Sequence, residues 1–293
     1  MHPDQDPEVL VVGEALIDVV ERGSSVVEHV GGSPANVALG LARLGVSAAL
    51  LTQIGRDERG AAIVEHLRAS GVSVLDESFS SERTSTARAR IAADGQADYV
   101  FDIAWETFEP PRGLRPRVLH TGSIAAFLPP GADVVRRMLA ESDAQYVTFD
   151  PNVRPALLSS QAHSRSVFDA TARLAHTVKM SDEDAAWLFP GRDLRAIIDH
   201  VLELGATIVA ITRGRHGALL ASSTSEAVEV PAVDVQQVDT IGAGDTFMAS
   251  LIHSLLSVPA PGDRLEELGT AAVSAAAITV SRAGADLPWA HEL

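Results

Sequence analysis

A glycine-rich stretch near the C-terminal end carries the residues with the clearest potential for chemistry. Its sequence is Asp239-Thr240-Ile241-Gly242-Ala243-Gly244-Asp245. The apolar residues that follow predict a helix from about Gly242 to about Leu256. Small residues leave consecutive backbone N–H groups uncovered at a helix N-terminus. Gly242, Ala243 and Gly244 could therefore hold an anion together.

Asp245 follows these small residues in the first turn of the predicted helix. Its carboxylate could take a proton from a hydroxyl group that attacks an anion held by the turn. Acidic residues also complement the helix dipole in first turns, so Asp245 has a purely structural alternative. The stretch predicts either an anion hole with an adjacent general base or a tight turn before a helix.

A second glycine-containing stretch begins another predicted helix. Gly31 and Gly32 permit positive φ and a close backbone approach, and Pro34 suits a first helical turn. The apolar spacing of residues 37–44 is helical, which places Asn36 in the first turns. Asn36 could bind a substrate there, although Asn is equally favoured at helix starts for capping.

The first predicted strand, residues 9–12, is an uninterrupted apolar run of the kind found in buried parallel strands. Asp18 lies beyond its carboxyl end, where ligands gather in open α/β sheets. Its carboxylate could accept hydrogen bonds from two hydroxyl groups of a ligand. An ordinary turn residue is the alternative.

The elements that must position these residues alternate between strands and helices. A strand at 48–54 precedes a helix at 60–70, and further strands are predicted at 117–120, 146–149 and 207–211. This order predicts a parallel, doubly wound sheet. A late alanine-rich helix is predicted over residues 268–280.

Two segments, 84–91 and 96–101, instead alternate between polar and apolar residues. Ala93-Asp94-Gly95 between them favours a hairpin turn. Together with the extended segment 26–30, this hairpin is expected to form a small sheet outside the main one.

Composition limits the classes of function. The 293 residues carry a formal net charge of −16 and no cysteine. Such an acidic chain is unsuited to nucleic acid or an anionic membrane, and disulfides and thiolate metal sites are excluded. The polar, acidic N-terminus lacks the features of a signal peptide, so the cytoplasm is the expected compartment. Lys179, the only lysine, lies outside any Walker A motif, which rules out a P-loop.

The stretch from Asp239 to Phe247 matches the C-terminal signature of the PfkB (ribokinase-like) family of sugar kinases. Gly31 to Gly45 resembles the N-terminal signature of that family, and the resemblance extends from Gly13 to about Gly284. It implies a three-layer α/β/α sandwich with a mostly parallel central sheet. The whole chain, residues 1–293, would form this single domain.

The resemblance also implies a small β-sheet lid over the sugar, formed by about residues 18–31 and 83–106. Such a lid often forms a dimer contact, so a homodimer through the lid is expected. Tyr99, Phe101 and Trp105 could close on the substrate; packing within the lid or against the dimer partner is the alternative.

A central motif, Asp150-Pro151-Asn152-Val153-Arg154, looks like the Asp-x-Asn-x-Arg of fructokinase and 2-keto-3-deoxygluconate kinase members. The planar guanidinium of Arg154 could spread the charge of a transferring phosphate, and an ion pair with Asp150 is the alternative. Carried over by position, the catalytic residues would be Asp245, Gly242, Ala243, Gly244 and Arg154. The substrate-binding residues would be Asp18, Gly31, Gly32, Asn36, Phe101, Arg154 and Asp245.

ATP and magnesium are the cofactors that the resemblance implies. The nucleotide-binding residues would be Lys179, Ser181, Thr212, Gly214, Gly217, Gly242, Gly244 and Ala276. The family's Asn-x-x-Glu motif organises magnesium, often through water; here Ser181 replaces its Asn and Asp184 its Glu. Glu183 competes with Asp184 for that role. A potassium site is implied at Asp239, Ile241 and Gly284.

The implied reaction moves the γ-phosphate of ATP to a primary hydroxyl of a small sugar, and fructokinase is the member most resembled. Kinases of 2-keto-3-deoxygluconate, ribose or a nucleoside are alternatives within the family. Many relatives carry a Trp shortly after the central motif, where this chain has Leu157 and Leu158. An alternative of another class is a sugar-binding or regulatory protein without turnover.

Overall fold

The computed structural model describes residues 6–23, 25–91 and 97–293. The turn predicted at Ala93-Asp94-Gly95 lies outside these residues. The strands are β1 (Val9–Val12), β2 (Leu16–Arg22), β3 (Ser25–Gly31), β4 (Ala48–Leu51), β5 (Ser73–Val74), β6 (Thr86–Ile91), β7 (Ala97–Asp102), β8 (Val118–Gly122), β9 (Tyr146–Asp150), β10 (Thr177–Ser181), β11 (Ile208–Thr212), β12 (Ala218–Ser222) and β13 (Val228–Val230). The helices are α1 (Ser33–Arg43), α2 (Glu58–Ala69), α3 (Ser123–Phe127), α4 (Gly131–Ala140), α5 (Gln161–Ala172), α6 (Asp182–Leu188), α7 (Leu194–Glu203), α8 (Ala243–Ser257) and α9 (Leu265–Val280).

A large sheet runs through the described structure with the strand order β13-β12-β11-β10-β9-β8-β1-β4-β5. The strands from β5 to β11 in this order are parallel, whereas β12 and β13 pair antiparallel at one edge. Parallel neighbours require crossover connections, and most of these contain a helix. The predicted mostly parallel sheet is confirmed.

The first strand shows why helices cover both faces of this sheet. Val9 and Val11 belong to a buried cluster with α1, α2, α8 and α9, while Leu10 and Val12 belong to a second cluster with α3 to α7. Successive strand residues point to opposite faces, so an uninterrupted apolar run needs a cover on each side. The result is the predicted three-layer α/β/α arrangement.

The carboxyl ends of the parallel strands lie at one edge of the sheet. Gly122 at the end of β8 is in register with Asp150 at the end of β9, and Ser181 of β10 is in register with Thr212 of β11. On one face, α1 packs directly on α8: a Cβ added at Gly40 would lie 2.9 Å from that of Ala249. The start of α1 is thereby brought close to the start of α8.

A smaller sheet with the order β3-β2-β6-β7 accompanies the large one in the described structure. β6 and β7 pair antiparallel, as the predicted hairpin requires. β2 begins two residues before the lid segment expected at about 18–31, and Asp18 pairs within the small sheet with His29 and Ala87. The alternative that Asp18 is an ordinary turn residue is therefore wrong. Ile17 and Val19 point into the core, so Asp18 between them points away from it.

Trp105 lies beyond the end of the small sheet. Its ring is buried 5.5 Å from that of Phe108, between centroids, and its Nε1 donates to the Ala125 carbonyl oxygen at 3.2 Å. Both expectations for Trp105, closure on a substrate and packing in the lid or a dimer, are wrong, because the indole anchors the returning chain to α3. Phe101 is half-buried on β7, and the side chain of Tyr99 lies outside the described part.

Helices capable of crossing a membrane, by length and apolar character, are absent from the described residues.

Candidate active site

Asp245 lies in the first turn of α8 with only 7% of its surface exposed. Its Oδ1 accepts a hydrogen bond from the Ser33 hydroxyl at 2.6 Å, and its Oδ2 accepts one from Asn36 Nδ2 at 2.8 Å. Ser33 and Asn36 are three residues apart in the first turn of α1, so both side chains lie on the face of α1 toward α8. Residues from the two glycine-rich stretches thus meet at one carboxylate.

The turn before α8 depends on Gly242, which has a φ of +80°. A Cβ at this position would lie 2.8 Å from that of Ala285, so the position requires glycine on two grounds. The Ala243 N–H donates to the Thr240 carbonyl oxygen at 3.2 Å. One of the three backbone amides predicted for an anion hole is therefore already hydrogen bonded within the turn. Gly244 lies above Lys179: a Cβ there would be 3.0 Å from Nζ.

Lys179 in the middle of β10 and Asp150 at the end of β9 form a buried ion pair. The Nζ–Oδ2 distance is 2.7 Å, and the residues are 3% and 0% exposed. Burial raises the pKa of Asp150 to about 6, against the opposing effect of Lys179. Burial alone would lower the pKa of Lys179, but the carboxylates of Asp150, Asp184 and Asp245 raise it above its ordinary value. Lys179 therefore places a positive charge beneath Gly244.

Asp184 is buried at the start of α6, whereas Glu183 beside it is exposed. Its Oδ1 accepts from the Val153 N–H at 2.8 Å and its Oδ2 from the Ser181 N–H at 3.1 Å. Ser181 caps the helix as predicted, because its hydroxyl oxygen accepts from the Asp184 N–H. Asp184 thus connects α6 to the loop after β9.

Arg154 is exposed in that loop and donates to the backbone and side chain of Asn152, at 2.6 Å for the Asn152 Oδ1. The alternative of an ion pair between Arg154 and Asp150 is wrong, because the Asp150 carboxylate is paired with Lys179 inside the sheet edge. The charge of Arg154 instead acts on Glu14 and Asp18, whose pKa values it lowers against the larger raising effect of burial.

Gly31 on β3 pairs with Leu16 on β2, which places Gly31 diagonally across from Asp18. A Cβ at Gly31 would lie 2.0 Å from the Asp18 Oδ2, so glycine leaves the space that this carboxylate occupies. Gly32 follows as the N-cap of α1 with a φ of +107°, and a Cβ there would lie 2.5 Å from the Glu14 carbonyl oxygen. Burial raises the pKa of Asp18 above its ordinary value.

Glu14 is a buried acid that the sequence interpretation missed. Its Oε2 accepts from the Ala125 N–H at 3.1 Å, and its carboxyl also hydrogen bonds with the Ser123 side chain. Burial raises its pKa to about 7, and these hydrogen bonds only partly oppose the rise. The sequence signal that could have identified Glu14 is the presence of an acid just beyond an apolar strand.

The residues predicted to surround the nucleotide lie on separate elements. Thr212 ends β11, and Gly214, with a φ of +50°, begins the turn after it. Gly217 has a structural requirement of its own, because a Cβ would lie 1.9 Å from the Val230 carbonyl oxygen. Ala276 is half-buried on α9.

Asp239 connects two loops near the start of α8. Its Oδ1 accepts from the Ile241 N–H at 3.0 Å and its Oδ2 from the Gly284 N–H at 2.9 Å. These two hydrogen bonds lower the pKa of Asp239 below its ordinary value. The geometry brings together the three residues predicted for a potassium site.

The described residues hold no group of three or more His, Cys, Asp or Glu side chains arranged to bind a metal ion directly. Asp150, Asp184 and Asp245 nevertheless act on the same lysine, which shows that their carboxylates share one edge of the sheet. This oxygen donor set suits a hard cation that retains water ligands. The edge combines a carboxylate base candidate, a fixed cation and a helix N-terminus.

Comparisons with known proteins give the family of the chain. A model described as pfkB family carbohydrate kinase matches residues 6–292. The fructokinase of Salmonella typhimurium is 31% identical over 303 residues, which cover 97% of either chain. An uncharacterized sugar kinase from Pyrococcus horikoshii, solved in complex with ATP, has a TM-score of 0.82 at 27% identity and covers 97% of this chain and 96% of its own.

Aminoimidazole riboside kinase from Salmonella enterica, complexed with aminoimidazole riboside and an ATP analog, has a TM-score of 0.81 at 25% identity, with 97% of each chain covered. The family match spans nearly all the residues that form the sheet edge and both glycine-rich turns. The chain therefore belongs to the pfkB family of carbohydrate kinases and is an ATP-dependent sugar kinase.

Proposed function

We propose that this kinase transfers the γ-phosphate of ATP to a primary hydroxyl of a small neutral sugar, with fructose as the first candidate. The observation that carries the proposal is the position of Asp245, at the N-terminus of α8 and between two donors from α1. A carboxylate beside a helix N-terminus can deprotonate an acceptor hydroxyl next to the phosphate that it attacks. The name of the fructokinase relative supports fructose.

In the proposed reaction, Asp245 accepts the proton as the acceptor O–H bond breaks. The oxygen forms a bond to the γ-phosphorus while the bond to the β-phosphate oxygen breaks, and ADP leaves. The N–H groups of Gly242 and Gly244 would face the developing charge, with Ala243 maintaining the turn. Asp18, Gly31, Gly32 and Asn36 would bind the sugar hydroxyls and Phe101 would cover them, with Arg154 at the boundary between sugar and phosphate.

The nucleotide would lie along Thr212, Gly214, Gly217 and Ala276, with its phosphates reaching Ser181, Gly244 and Lys179. Lys179 supports this placement because its charge lies beneath Gly244 while its Nζ is fixed by Asp150. Magnesium, when bound, neutralises phosphate charge. Asp184 is the residue proposed to hold it through water, because Asp184 faces the buried pair and Glu183 is exposed. Asp239, Ile241 and Gly284 are proposed as the potassium site.

A riboside is the second candidate acceptor, because aminoimidazole riboside kinase is nearly as similar in structure as the sugar kinase from Pyrococcus. The experiment is ATP consumption, with magnesium and potassium, across fructose, ribose, aminoimidazole riboside, adenosine and 2-keto-3-deoxygluconate. We expect rapid turnover of fructose. Turnover of another compound alone would replace fructose, and thermal stabilisation by a sugar without any turnover would favour a binding protein.

We also propose a homodimer through the small sheet, on which Val26, Val27 and Val100 are exposed. Exposed valines on a sheet are suited to a partner surface of the same kind. The expected solution mass is twice 30.8 kDa. A single-chain mass at micromolar concentration would contradict this interface.

A further inference from the structure

Ser33 lies at the start of α1 but does not cap that helix. Serine in such a position commonly caps its own helix by accepting a backbone N–H. In the described structure the N-cap of α1 is Gly32, and the start of α1 has no side-chain capping bond. The Ser33 hydroxyl instead donates to Asp245, which is 212 residues away in the sequence.

The backbone around Ser33 explains why its hydroxyl is directed at Asp245. Gly32 has a φ of +107° and lies so close to Glu14 that a Cβ would be 2.5 Å from its carbonyl oxygen. This turn places the first residue of α1 toward the start of α8. Ser33 is buried, so its hydroxyl has little access to water and its bond to Asp245 is protected from competition.

The charged groups that act on Asp245 come from other elements. Lys179 on β10 and Asp150 at the end of β9 are coupled to it electrostatically, whereas Ser33 and Asn36 on α1 are uncharged. Replacement of Ser33 therefore leaves the surrounding charges in place. It removes one hydrogen bond that favours the ionised carboxylate.

We propose that Ser33 is a positioning residue for the base, fixing the orientation of the Asp245 carboxylate and stabilising its ionised form through Oδ1. This inference rests on the proposed function of Asp245 as the general base. A base must be ionised to accept a proton, so loss of the Ser33 hydrogen bond raises the pH at which the enzyme becomes active.

The test is the pH dependence of kcat/KM for the acceptor, from pH 4 to pH 9 at saturating ATP, in wild type and Ser33→Ala. We expect the acid limb of the profile to move up by about one pH unit, since a hydrogen bond to a charged group has about that effect. At the foot of the limb this shift is a loss of about tenfold. The KM for ATP should remain within about twofold, because Ser33 acts on the acceptor side.

Three further variants make the result decisive. Ser33→Thr retains the hydroxyl and should return the acid limb to its wild-type position. Ser164→Ala is the matched control: Ser164 is also buried, but its hydroxyl donates to the carbonyl oxygen of Ser160, the N-cap of α5, at 2.8 Å. Its profile should coincide with wild type. Thermal melting establishes whether each variant is folded. If Ser33→Ala does not fold, Ser33→Gly removes the same hydroxyl and takes its place in the experiment.

Asp245→Asn, measured in parallel, separates failure of this inference from failure of the proposed function. An unchanged acid limb in Ser33→Ala, with Asp245→Asn inactive, overturns the role of Ser33 alone. A limb displaced equally in Ser33→Ala and Ser33→Thr also overturns it, because the hydroxyl would then be irrelevant. Near-normal turnover by Asp245→Asn overturns the proposed base and the inference with it.

Discussion

Two buried aspartates at the same edge of the sheet are held in different ways. Asp150 is fully buried and bonded to the ammonium group of Lys179, whereas Asp245 retains a small exposed surface and accepts hydrogen bonds from the uncharged Ser33 and Asn36. Although burial raises the pKa of Asp150 to about 6, a proton taken up by Asp150 would break its bond to Lys179 and leave a buried ammonium group without a partner. A carboxylate with neutral donors can accept a proton without that cost.

The difference indicates that the two aspartates at this edge of the sheet have separate roles. The pair formed by Lys179 and Asp150 fixes a positive charge beneath the turn before α8, and Asp245 remains available for proton transfer. Apart from the histidines, every other basic residue of the chain is an arginine. Only the buried position 179 has a lysine, whose side chain is narrower. An ammonium group fits beneath Gly244, where a planar guanidinium requires more space.

The largest expected effect on stability comes from breaking the buried pair. Lys179→Met should lower the free energy of unfolding by about 3–5 kcal/mol, because Asp150 is left as a buried charge without a partner. Lys179→Met combined with Asp150→Asn should recover a large part of this loss. Urea denaturation at pH 7 measures both.

Arg59→Met is the matched control for that experiment. It removes the exposed ion pair between Arg59 on α2 and Glu28 on β3, and should cost no more than about 1 kcal/mol. Equal losses in Lys179→Met and Arg59→Met would show that burial does not distinguish the two pairs, and the comparison of the aspartates would lose its basis.

Glu14 extends the comparison to a buried acid without a bonded cation. Its pKa is raised from 4.5 to about 7, so its contribution to stability is fully present below pH 4.5 and is lost as the pH rises through 7. Glu14→Gln removes this titration. Its free energy of unfolding, relative to wild type, should increase by about 3 kcal/mol between pH 4.5 and pH 8. A difference that stays constant with pH would contradict the buried, titrating carboxyl.

The sequence predicted the parts of the site that depend on local pattern. The glycines and helix starts around Asn36 and Asp245 are visible in short stretches, and their family resemblance placed both in one site. The pairing partners were not predictable in this way. The carboxylate that Ser33 contacts lies more than two hundred residues away, and Asp150 has a nearer arginine in sequence than the lysine with which it pairs.

The fold shows the same division between local and distant information. Apolar runs identified the core strands, but β2 follows β1 after only three residues, and the residues alone left Asp18 as either a ligand-binding acid or a turn residue beyond β1. Trp105 was assigned to the lid by its proximity in sequence, although the chain has already returned to the core at that point. Both cases concern residues at which the chain passes between the large sheet and the small sheet.

The measurement that tests the central claim most directly compares turnover and acceptor binding in Asp245→Asn. Asparagine preserves the size of the side chain and can still accept the hydrogen bond from Ser33, but it cannot take up the proton. We predict that kcat falls by at least about 100-fold while the acceptor dissociation constant, measured calorimetrically, stays within about threefold. A variant that binds the acceptor normally and turns over within about threefold of wild type would contradict Asp245 as the base.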